Sequence, residues 1–269
     1  MDKKIAFIGG GNMAAAVLSG LLRKQVAGAD EILVTEKLPE RRAYLEATHH
    51  VETTEDNAQA PKRSRTVFLA VKPQMLAQVQ DDLRPGLTED HVVISILAGI
   101  TRERLGKALG RMERIVRVMP NLPAQVGRGV SAISFPQTLG EEDREWVRTI
   151  MRSAGEVVEV EEPLQDAVTA VSGSGPGYLF YFVDLFVQAG VKQGLPRDVA
   201  LRLATETLAG TAEVLRQTSD SPEELVRKVA TPGGTTEAGL SALKEHGLGD
   251  VLDEMVERAT RRSKELNQG

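Results

Sequence analysis

The chain has 269 residues, more than the roughly 100–150 of a common single domain, so its length predicts two domains. Its formal net charge of −5 at pH 7 argues against nucleic acid or an anionic membrane as the main partner, because neither would be attracted by the overall field. The lack of cysteine excludes disulfides, thiol catalysis and thiolate metal sites. We therefore expect a cytoplasmic protein with no metal site and with neither nucleic acid nor a membrane among its partners.

The first motif along the chain is a glycine-rich turn. Residues 4–8 form an apolar run typical of a short strand, and residues 13–25 carry apolar side chains at helical spacing. Between them lies the pattern glycine-x-glycine-x-x-alanine, whose glycines allow a tight turn and close backbone approach to a pyrophosphate. The turn predicts dinucleotide binding, although a Rossmann-like domain that binds no nucleotide could carry it too. The candidate cofactor residues here are Gly9, Gly10, Gly11, Asn12 and Met13.

Residues 32–35 predict a second strand, and Glu36 stands directly after it. An acidic side chain at this place can accept hydrogen bonds from the adenosine ribose hydroxyls, which favours NADH. Lys37, Arg41 and Arg42 follow, and they could instead neutralise the extra phosphate of NADPH or form the solvated face of the next helix. Glu36 and Lys37 are therefore candidate cofactor residues, and the sequence leaves the choice between NADH and NADPH open.

Further apolar runs predict five more strands, with helical segments between several of them. The runs are residues 66–70, 92–95, 115–119, 130–134 and 157–160. Alternating strands and helices predict a doubly wound, mostly parallel sheet, which binds ligands beyond the carboxyl ends of its strands. At such ends stand Val71, Lys72 and Pro73, and also the stiff loop around Asn121, whose role as ligand contact or purely structural element stays open. Residues 1–162 are predicted to form a Rossmann-like dinucleotide-binding domain.

After Glu162 the pattern is helical, and residues 163–269 are predicted to form an all-helical domain. The apolar stretch 178–187 is far shorter than the roughly 20 residues that span a bilayer. Its aromatic side chains lie around nearly the whole circumference of a helix, so they are normally buried in a core or in an interface. We favour a subunit interface, because a helical half this short has little sheet to bury them against. The aromatic residues are Tyr178, Phe180, Tyr181, Phe182 and Phe186.

The glycine-threonine loop, residues 231–236 (Thr-Pro-Gly-Gly-Thr-Thr), lies within this helical half. Successive glycines leave backbone N–H groups unshielded and threonines add hydroxyl donors, so the loop can form a concave site for a carboxylate. Alternatively, Pro-Gly-Gly ends one helix and Thr235 or Thr236 caps the next. The small residues within the segment 171–178 allow close approach of either a packed helix or a nicotinamide ring.

Five motifs together give the chain a family resemblance. They are residues 7–13 (Phe-Ile-Gly-Gly-Gly-Asn-Met), 70–73 (Ala-Val-Lys-Pro), 119–121 (Met-Pro-Asn), 172–176 (Ser-Gly-Ser-Gly-Pro) and 232–236 (Pro-Gly-Gly-Thr-Thr). In this order, and over nearly the whole length, the chain resembles pyrroline-5-carboxylate reductases. The resemblance implies hydride transfer from NADPH or NADH to the cyclic imine of 1-pyrroline-5-carboxylate, giving L-proline in the last step of proline biosynthesis. It also implies a homodimer formed by the helical domain, and it admits larger rings of dimers.

The resemblance assigns roles by position. It places the pyrophosphate at residues 9–13, the adenosine side at Asn57, and the nicotinamide half at Ala98 and at Ala70, Val71, Lys72 and Pro73. It places the substrate at Ser174 and at Gly233, Gly234, Thr235 and Thr236. Thr236 is the candidate catalytic residue, because its hydroxyl could hydrogen-bond the ring nitrogen while the nicotinamide lies against the imine carbon. A strong acid is not required if the imine arrives protonated, and we expect all four histidines, His49, His50, His91 and His246, to lie at the surface.

Two positions depart from the family pattern. Gly177 stands where alanine is more usual, and Glu36 stands where residues that tolerate a 2′-phosphate are common. Glu36 would repel that phosphate unless Lys37 or Arg41 offsets its charge.

Two other functions fit parts of the pattern. A related imine reductase or hydroxyacid dehydrogenase shares the two-domain architecture. Those enzymes ordinarily have a lysine in the interdomain helix, and here Lys192 is the first lysine after Lys107. A non-catalytic nucleotide-sensing homologue would have no evident need for the glycine-threonine loop. Replacing Thr236 by alanine separates these hypotheses, since a reductase would lose turnover and a sensor would still bind nucleotide.

Overall fold

The computed structural model describes residues 1–110 and 113–268 and divides into two compact units. The first unit comprises Met1–Ser174 and the end of the chain from Arg258 onward, and the second comprises Gly175–Glu257. The first unit thus includes residues 163–174 and the chain end, which the sequence analysis assigned to the helical domain. The domain division after Glu162 stays a prediction.

An eight-stranded sheet forms the centre of the first unit. Its strands are β1 (Ile5–Ile8), β2 (Ile32–Thr35), β3 (Glu52–Thr54), β4 (Thr66–Leu69), β5 (Val92–Ser95), β6 (Ile115–Met119), β7 (Gly129–Ser134) and β8 (Gly155–Glu159). They lie in the order β3-β2-β1-β4-β5-β6-β7-β8. Every neighbouring pair is parallel except β6 with β7. The predicted doubly wound, mostly parallel sheet is therefore confirmed.

The winding of the sheet reverses at β1. From β1 the chain moves outward through β2 and β3, and then crosses to place β4 on the other side of β1. Ile8, the last residue of β1, is level with Thr35 of β2 and with Leu69 of β4. The carboxyl ends of three strands therefore meet at one switch point, which is where open parallel sheets bind their ligands.

Two apolar layers cover the two faces of the sheet. The helices of this unit are α1 (Asn12–Arg23), α2 (Pro39–His49), α3 (Gln59–Arg63), α4 (Leu76–Leu83), α5 (Arg102–Leu109), α6 (Glu141–Arg152) and α7 (Gln165–Val168). Alternate residues of β1 belong to different layers: Phe7 packs with residues of α1 and α6, and Ile8 packs with residues of α4 and α5. Phe7 and Phe68 are fully buried with ring centroids 4.9 Å apart. Each such side chain stabilises the fold by about 1.5–3 kcal/mol.

The edge strand β3 was not predicted from the sequence. Its three residues are polar and partly exposed, so they produce no apolar run. They pair with β2 through the backbone, with Val34 opposite Thr53, and Glu52 forms ion pairs with Lys3 and Arg63. A short edge strand of this kind carries no hydrophobic signal in the sequence.

The prediction that His91 lies at the surface is wrong. Its side chain is 1% exposed. The Thr88 N–H donates to its Nδ1 at 2.9 Å, and its Nε2 lies 2.7 Å from the Pro61 carbonyl oxygen. Because Nδ1 accepts, the neutral ring carries its proton on Nε2 and satisfies both partners. Burial here depends on contacts across the fold rather than on a local pattern.

Helices account for the rest of the chain. They are α8 (Gly175–Lys192), α9 (Arg197–Gln217), α10 (Pro222–Val229), α11 (Thr235–Glu245) and α12 (Leu248–Gln268). Among the described residues no strand follows Glu159, which confirms the predicted helical region. In the second unit α8 packs on α9 around Val187, Ala200 and Ala204. Within residues 1–110 and 113–268, no helix is long and apolar enough to cross a membrane.

Candidate active site

An open cavity of about 410 Å³ lies beyond the carboxyl ends of β1, β2 and β4, and we call it the switch-point cleft. Eight predicted cofactor residues line it: Gly9, Gly11, Glu36, Lys37, Asn57, Ala70, Val71 and Lys72. These residues come from four separate segments, which the level register of the strands brings together. Five further lining residues were not predicted from the sequence: Thr35, Leu38, Met75, Gln78 and Val79. The position of Thr35 at the end of β2 was an available signal, whereas the other four belong to no motif.

The glycine-rich turn leaves room for a ligand at the start of α1. Gly9 has φ 93°, and a Cβ there would lie 3.0 Å from the Ala70 carbonyl oxygen, so the turn requires glycine. A Cβ on Gly11 would meet no atom within 4 Å. Gly11 is the N-cap of α1 and, because it has no side chain, leaves the N–H groups of the first turn without a side-chain cap. Unshielded N–H groups at a helix N-terminus suit a pyrophosphate, so the residues present fit the phosphates of a dinucleotide.

Glu36 is held at the edge of the switch-point cleft by two backbone donors. The Gly10 N–H donates to its Oε2 at 2.9 Å, and the Leu38 N–H donates to its Oε1 at 3.0 Å. The predicted cofactor residue Gly10 does not itself line the cleft. The carboxylate therefore has a fixed place beside Lys37.

Asn57 is 4% exposed and has both ends of its side chain engaged. The Thr35 hydroxyl donates to its Oδ1 at 2.6 Å, and its Nδ2 donates to Asp82 Oδ2 at 2.9 Å. These bonds connect the end of β2 with α4 beneath the cleft. Asn57 thus shapes the lining that the resemblance assigns to the adenosine side.

The segment after β4 has the extended backbone that its proline predicts. Lys72 has φ −67° and ψ 146°, and Pro73 begins a short 3₁₀ turn. Pro73 itself lines another cavity, of about 680 Å³, between α4, α5 and the end of α12. Ala70, Val71 and Lys72 therefore face the switch-point cleft, whereas Pro73 turns the chain away from it.

Ala98 lies in the loop after β5, outside the lining of the switch-point cleft. The end of α12 packs against this loop within the first unit. A Cβ on the neighbouring Gly99, which has φ 72°, would lie 2.7 Å from Leu266 Cβ. The Ser263 hydroxyl also donates to Asp166 Oδ1 at 2.6 Å. The chain end thus fixes the shape of the Ala98 loop, which no local motif predicted.

Asn121 has a structural role at the end of β6. Its Oδ1 accepts the Val130 N–H at 2.9 Å, and its Nδ2 lies 3.5 Å from the Ser172 hydroxyl. Ser172 belongs to a π-helical turn, Thr169–Gly173, which Ser174 follows; the Ser174 N–H donates to the Thr169 carbonyl at 2.8 Å. These contacts hold the segment that carries Ser174.

In the second unit, the glycine-threonine loop precedes α11. Gly233 has φ 71°, and Gly234 is the extended N-cap residue of α11. A Cβ on Gly234 would lie 2.5 Å from Thr231 Oγ1, so glycine is required there. The Gly234 N–H donates to the Thr231 carbonyl at 2.9 Å, and the Gly233 N–H donates to Glu237 Oε2 at 2.7 Å.

Thr235 and Thr236 form the first two positions of α11. The alternative that either threonine caps this helix is therefore wrong, because the cap is Gly234. Both hydroxyls lie on the first turn, where the helix also presents N–H groups toward an anion. Among the described residues, no histidine lines the switch-point cleft and no cluster of histidine and acidic side chains could hold a metal ion.

Comparison with known proteins covers both parts of the chain. Residues 162–266 match the family model described as pyrroline-5-carboxylate reductase dimerisation, and residues 4–99 match the model described as NADP oxidoreductase, coenzyme F420-dependent. The chain is 41% identical to the pyrroline-5-carboxylate reductase of Synechocystis over 268 residues, covering all of both chains.

Solved structures show the same relationship. The pyrroline-5-carboxylate reductase of Coxiella burnetii is similar with a TM-score of 0.91 and 33% identity, covering 99% of each chain. The pyrroline carboxylate reductase of Plasmodium falciparum, solved with NADP bound, is similar with a TM-score of 0.89 and 26% identity, covering 99% of this chain and 98% of that one. With full-length identity above 30%, the chain belongs to the pyrroline-5-carboxylate reductase family of NAD(P)H-dependent oxidoreductases.

Proposed function

We propose that this chain reduces 1-pyrroline-5-carboxylate to L-proline, with the nucleotide in the switch-point cleft and the substrate on the glycine-threonine loop. The observation that carries the proposal is the convergence of eight predicted cofactor residues on one cavity at the reversal of the sheet. Family membership over the full chain supports the same reaction.

The first unit would hold the nucleotide along the switch-point cleft. The N-terminus of α1, with Asn12 and Met13 in its first turn, would bind the pyrophosphate through backbone N–H groups. Glu36, Lys37 and Asn57 would surround the adenosine ribose. Residues 70–72 and the Ala98 loop would position the nicotinamide half, and Gly9 permits the close approach of Ala70 to the glycine-rich turn.

The second unit would hold the substrate. The Gly233 and Gly234 N–H groups already have partners, in the loop and on α11. The substrate carboxylate would therefore accept hydrogen bonds from the backbone N–H groups of Thr235 and Thr236 at the start of α11, where the helix dipole favours a negative charge. The Thr236 hydroxyl would hydrogen-bond the ring nitrogen and orient the imine carbon, and Ser174 would complete the polar surroundings.

Bond changes in the proposed reaction balance without an acid from the protein. A reduced nicotinamide held by residues 70–72 and the Ala98 loop would supply the hydride, so that one of its C–H bonds would break as a C–H bond forms at the imine carbon. The π pair of the C=N bond moves to the ring nitrogen, which arrives protonated and becomes the amine of proline. The chain's own residues bind and orient the substrate, and they hold its carboxylate against the donors of α11.

Self-association would follow from the aromatic face of α8. Phe180 and Tyr181 are 62% and 65% exposed within one chain, and Phe182 stacks on Phe186 with ring centroids 5.8 Å apart. Exposed aromatic side chains grouped on one helix are typical of an interface, and the matched family model is described by dimerisation. We propose a homodimer through this face, with association of dimers into a ring as the larger assembly. Light scattering over a range of protein concentrations measures the molar mass, and so tests for the dimer and for the larger ring.

Cytoplasmic location is part of the same proposal. The reaction consumes reduced nicotinamide, which the cytoplasm supplies. Fractionation of cells with an antibody to the chain tests it, and recovery of the chain outside the cytoplasmic fraction would contradict it.

Imine-dependent loss of reduced-nicotinamide absorbance tests the reaction. We expect oxidation of NADH or NADPH only when 1-pyrroline-5-carboxylate is present, and proline as the product detected by mass spectrometry. Lack of oxidation with either cofactor, in protein shown to be folded, would overturn the proposal and favour a nucleotide-sensing role.

A further inference from the structure

We infer that Glu36 makes this chain select NADH over NADPH. The inference rests on the proposed nucleotide site in the switch-point cleft and concerns its specificity. It answers the question that the sequence left open, namely whether the acidic residue or its basic neighbours determine the cofactor.

The Glu36 carboxylate is built into its place. Each of its oxygens accepts one backbone N–H, from Gly10 and from Leu38. A Cβ on Gly10 would lie 2.5 Å from Leu45 Cδ1 and 3.4 Å from Glu36 Oε2, so glycine allows this close approach. A carboxylate oxygen can accept a second hydrogen bond, so Glu36 can still receive the adenosine ribose hydroxyls.

Neither arginine of this region reaches the switch-point cleft. Arg41 donates from Nε to the Gly10 carbonyl at 2.5 Å, and its guanidinium lies 4.6 Å from the centre of the Tyr44 ring. It lines a separate cavity, together with Tyr44 and His49. Asn12 lines the same cavity, so Arg41 lies against the glycine-rich turn but outside the lining of the switch-point cleft.

Arg42 is engaged by backbone oxygens. Its Nη1 donates to the carbonyl of Glu36 at 2.8 Å and to that of Lys37 at 3.0 Å, and its Nη2 lies 3.7 Å from Glu55 Oε2. Arg42 thus supports the backbone under Glu36 and does not line the cleft. Of the three basic residues after β2, only Lys37 lines it.

The resulting charge balance disfavours a 2′-phosphate. A phosphate monoester carries a charge of about −1.5 to −2 at neutral pH. It would stand against the Glu36 carboxylate, with two exposed lysines of the cleft lining, Lys37 and Lys72, to offset both groups, and only Lys37 adjoins Glu36 along the chain. A ribose 2′-hydroxyl instead gives Glu36 a hydrogen-bond donor. NADH selectivity would set this chain apart from the NADP description of the family model that matches residues 4–99.

Two measurements test the inference. The first compares kcat/KM for imine-dependent oxidation of NADH and of NADPH, and the second measures Kd for NAD⁺ and NADP⁺ by calorimetry, which needs no turnover. We expect the wild-type chain to favour the NAD form at least about tenfold in both. Glu36→Gln keeps the size and an acceptor oxygen but removes the charge, and should lower both ratios at least about tenfold, mainly by tighter binding of NADP⁺.

Two further variants sharpen the test. Glu40→Gln makes the same change of charge in the first turn of α2, where the side chain is exposed and outside the cleft, and should leave both ratios unchanged. Lys37→Glu leaves Glu36 intact and should strengthen NADH selectivity, which tests the charge argument even if Glu36→Gln fails to fold.

A wild-type preference for the NADP form, or ratios that Glu36→Gln does not change, would overturn the inference. Equal shifts in Glu36→Gln and Glu40→Gln would overturn it as well, because they would show a general charge effect. If neither cofactor is oxidised, the proposed reaction fails, whereas the ratio of NAD⁺ to NADP⁺ binding still decides the role of Glu36.

Discussion

The two compact units bury their apolar side chains to different degrees. In the first unit, helices cover both faces of the sheet, and large side chains such as Phe7 and Phe68 are fully buried. In the second, the cluster around Val187 is small, while aromatic side chains of α8 such as Tyr181 lie open in a single chain. The first unit can therefore be stabilised by its own core, whereas the helical unit needs a partner surface.

Removal of a core aromatic ring should have the largest effect on stability. Phe68→Ala deletes a fully buried side chain from β4 and should lower the free energy of unfolding by about 3–5 kcal/mol, as measured by urea titration. Val126→Ala, at a side chain that is 74% exposed in the same unit, should change it by less than about 0.5 kcal/mol. Equal losses of unfolding free energy in the two variants would contradict the view that the buried core stabilises the first unit.

Loss of the Thr236 hydroxyl should separate the roles of the two units. Thr236→Ala removes a hydrogen bond proposed to orient the imine, so kcat should fall about 10²-fold. The Kd for nucleotide should stay unchanged, because the proposed nucleotide site lies in the first unit. Steady-state kinetics and calorimetry measure the two quantities.

Ser241→Ala is the matched control for Thr236→Ala. It removes an exposed hydroxyl from the same helix, α11, outside the glycine-threonine loop. Turnover should remain at the wild-type level. Full turnover in Thr236→Ala would show that its hydroxyl does not orient the substrate.

A polar change on α8 should weaken self-association rather than the fold of one chain. Phe182→Ser removes one ring of the stacked pair with Phe186 and should weaken dimerisation by about 2 kcal/mol, measured by light scattering over a range of concentrations. Val158→Ser changes an exposed apolar residue of β8 in the first unit and should leave dimerisation unchanged. An unaltered dimer in Phe182→Ser would place the interface elsewhere.

The smallest expected effect concerns acid stability of the first unit. Burial raises the pKa of the Glu162 carboxyl, but hydrogen bonds from Arg102, at 2.7 and 2.6 Å, and from Arg117, at 3.1 Å, outweigh it and hold the pKa below 4.5. Because the folded pKa is depressed, this stabilisation is fully present above about pH 4.5 and is lost as the pH falls through the folded pKa. Glu162→Gln should cost about 1 kcal/mol at pH 7.

Urea titrations at pH 7 and at pH 3.5 measure this dependence. In Glu162→Gln the difference in stability between the two pH values should shrink, since the titrating group is gone. Glu103→Gln breaks an exposed ion pair with Lys107 on α5 and should leave the difference nearly unchanged. If Glu162→Gln loses as much stability between pH 7 and pH 3.5 as the wild-type chain does, other carboxylates cause that loss.

Much of the fold could be predicted because its elements carry strong local patterns. The glycine-rich turn between β1 and α1 and the apolar runs of the other central strands have clear signals, and each was identified. β3 and the burial of His91 were missed for the opposite reason. The three polar residues of β3 depend on pairing with β2, and His91 depends on the distant Pro61 carbonyl.

In the candidate site too, some residues were predicted from local motifs and others depend on tertiary contacts. Motifs identified the segments around Gly9, Glu36 and Lys72, because special backbone conformations and strand ends mark the sequence. They did not identify Gln78 and Val79, which line the switch-point cleft from α4. They also missed the packing of Leu266 against Gly99, which lie far apart along the chain.

The sequence by itself determined the fold class, the family and the residue types at the proposed site. Those properties follow from glycine, proline and apolar spacing, which act over a few residues. Only the tertiary structure decided that Arg41 and Arg42 bind backbone carbonyls outside the lining of the cleft while Glu36 and Lys37 line it. The direction of a charged side chain depends on partners such as the Gly10 carbonyl, which the fold brings close from more than thirty residues away.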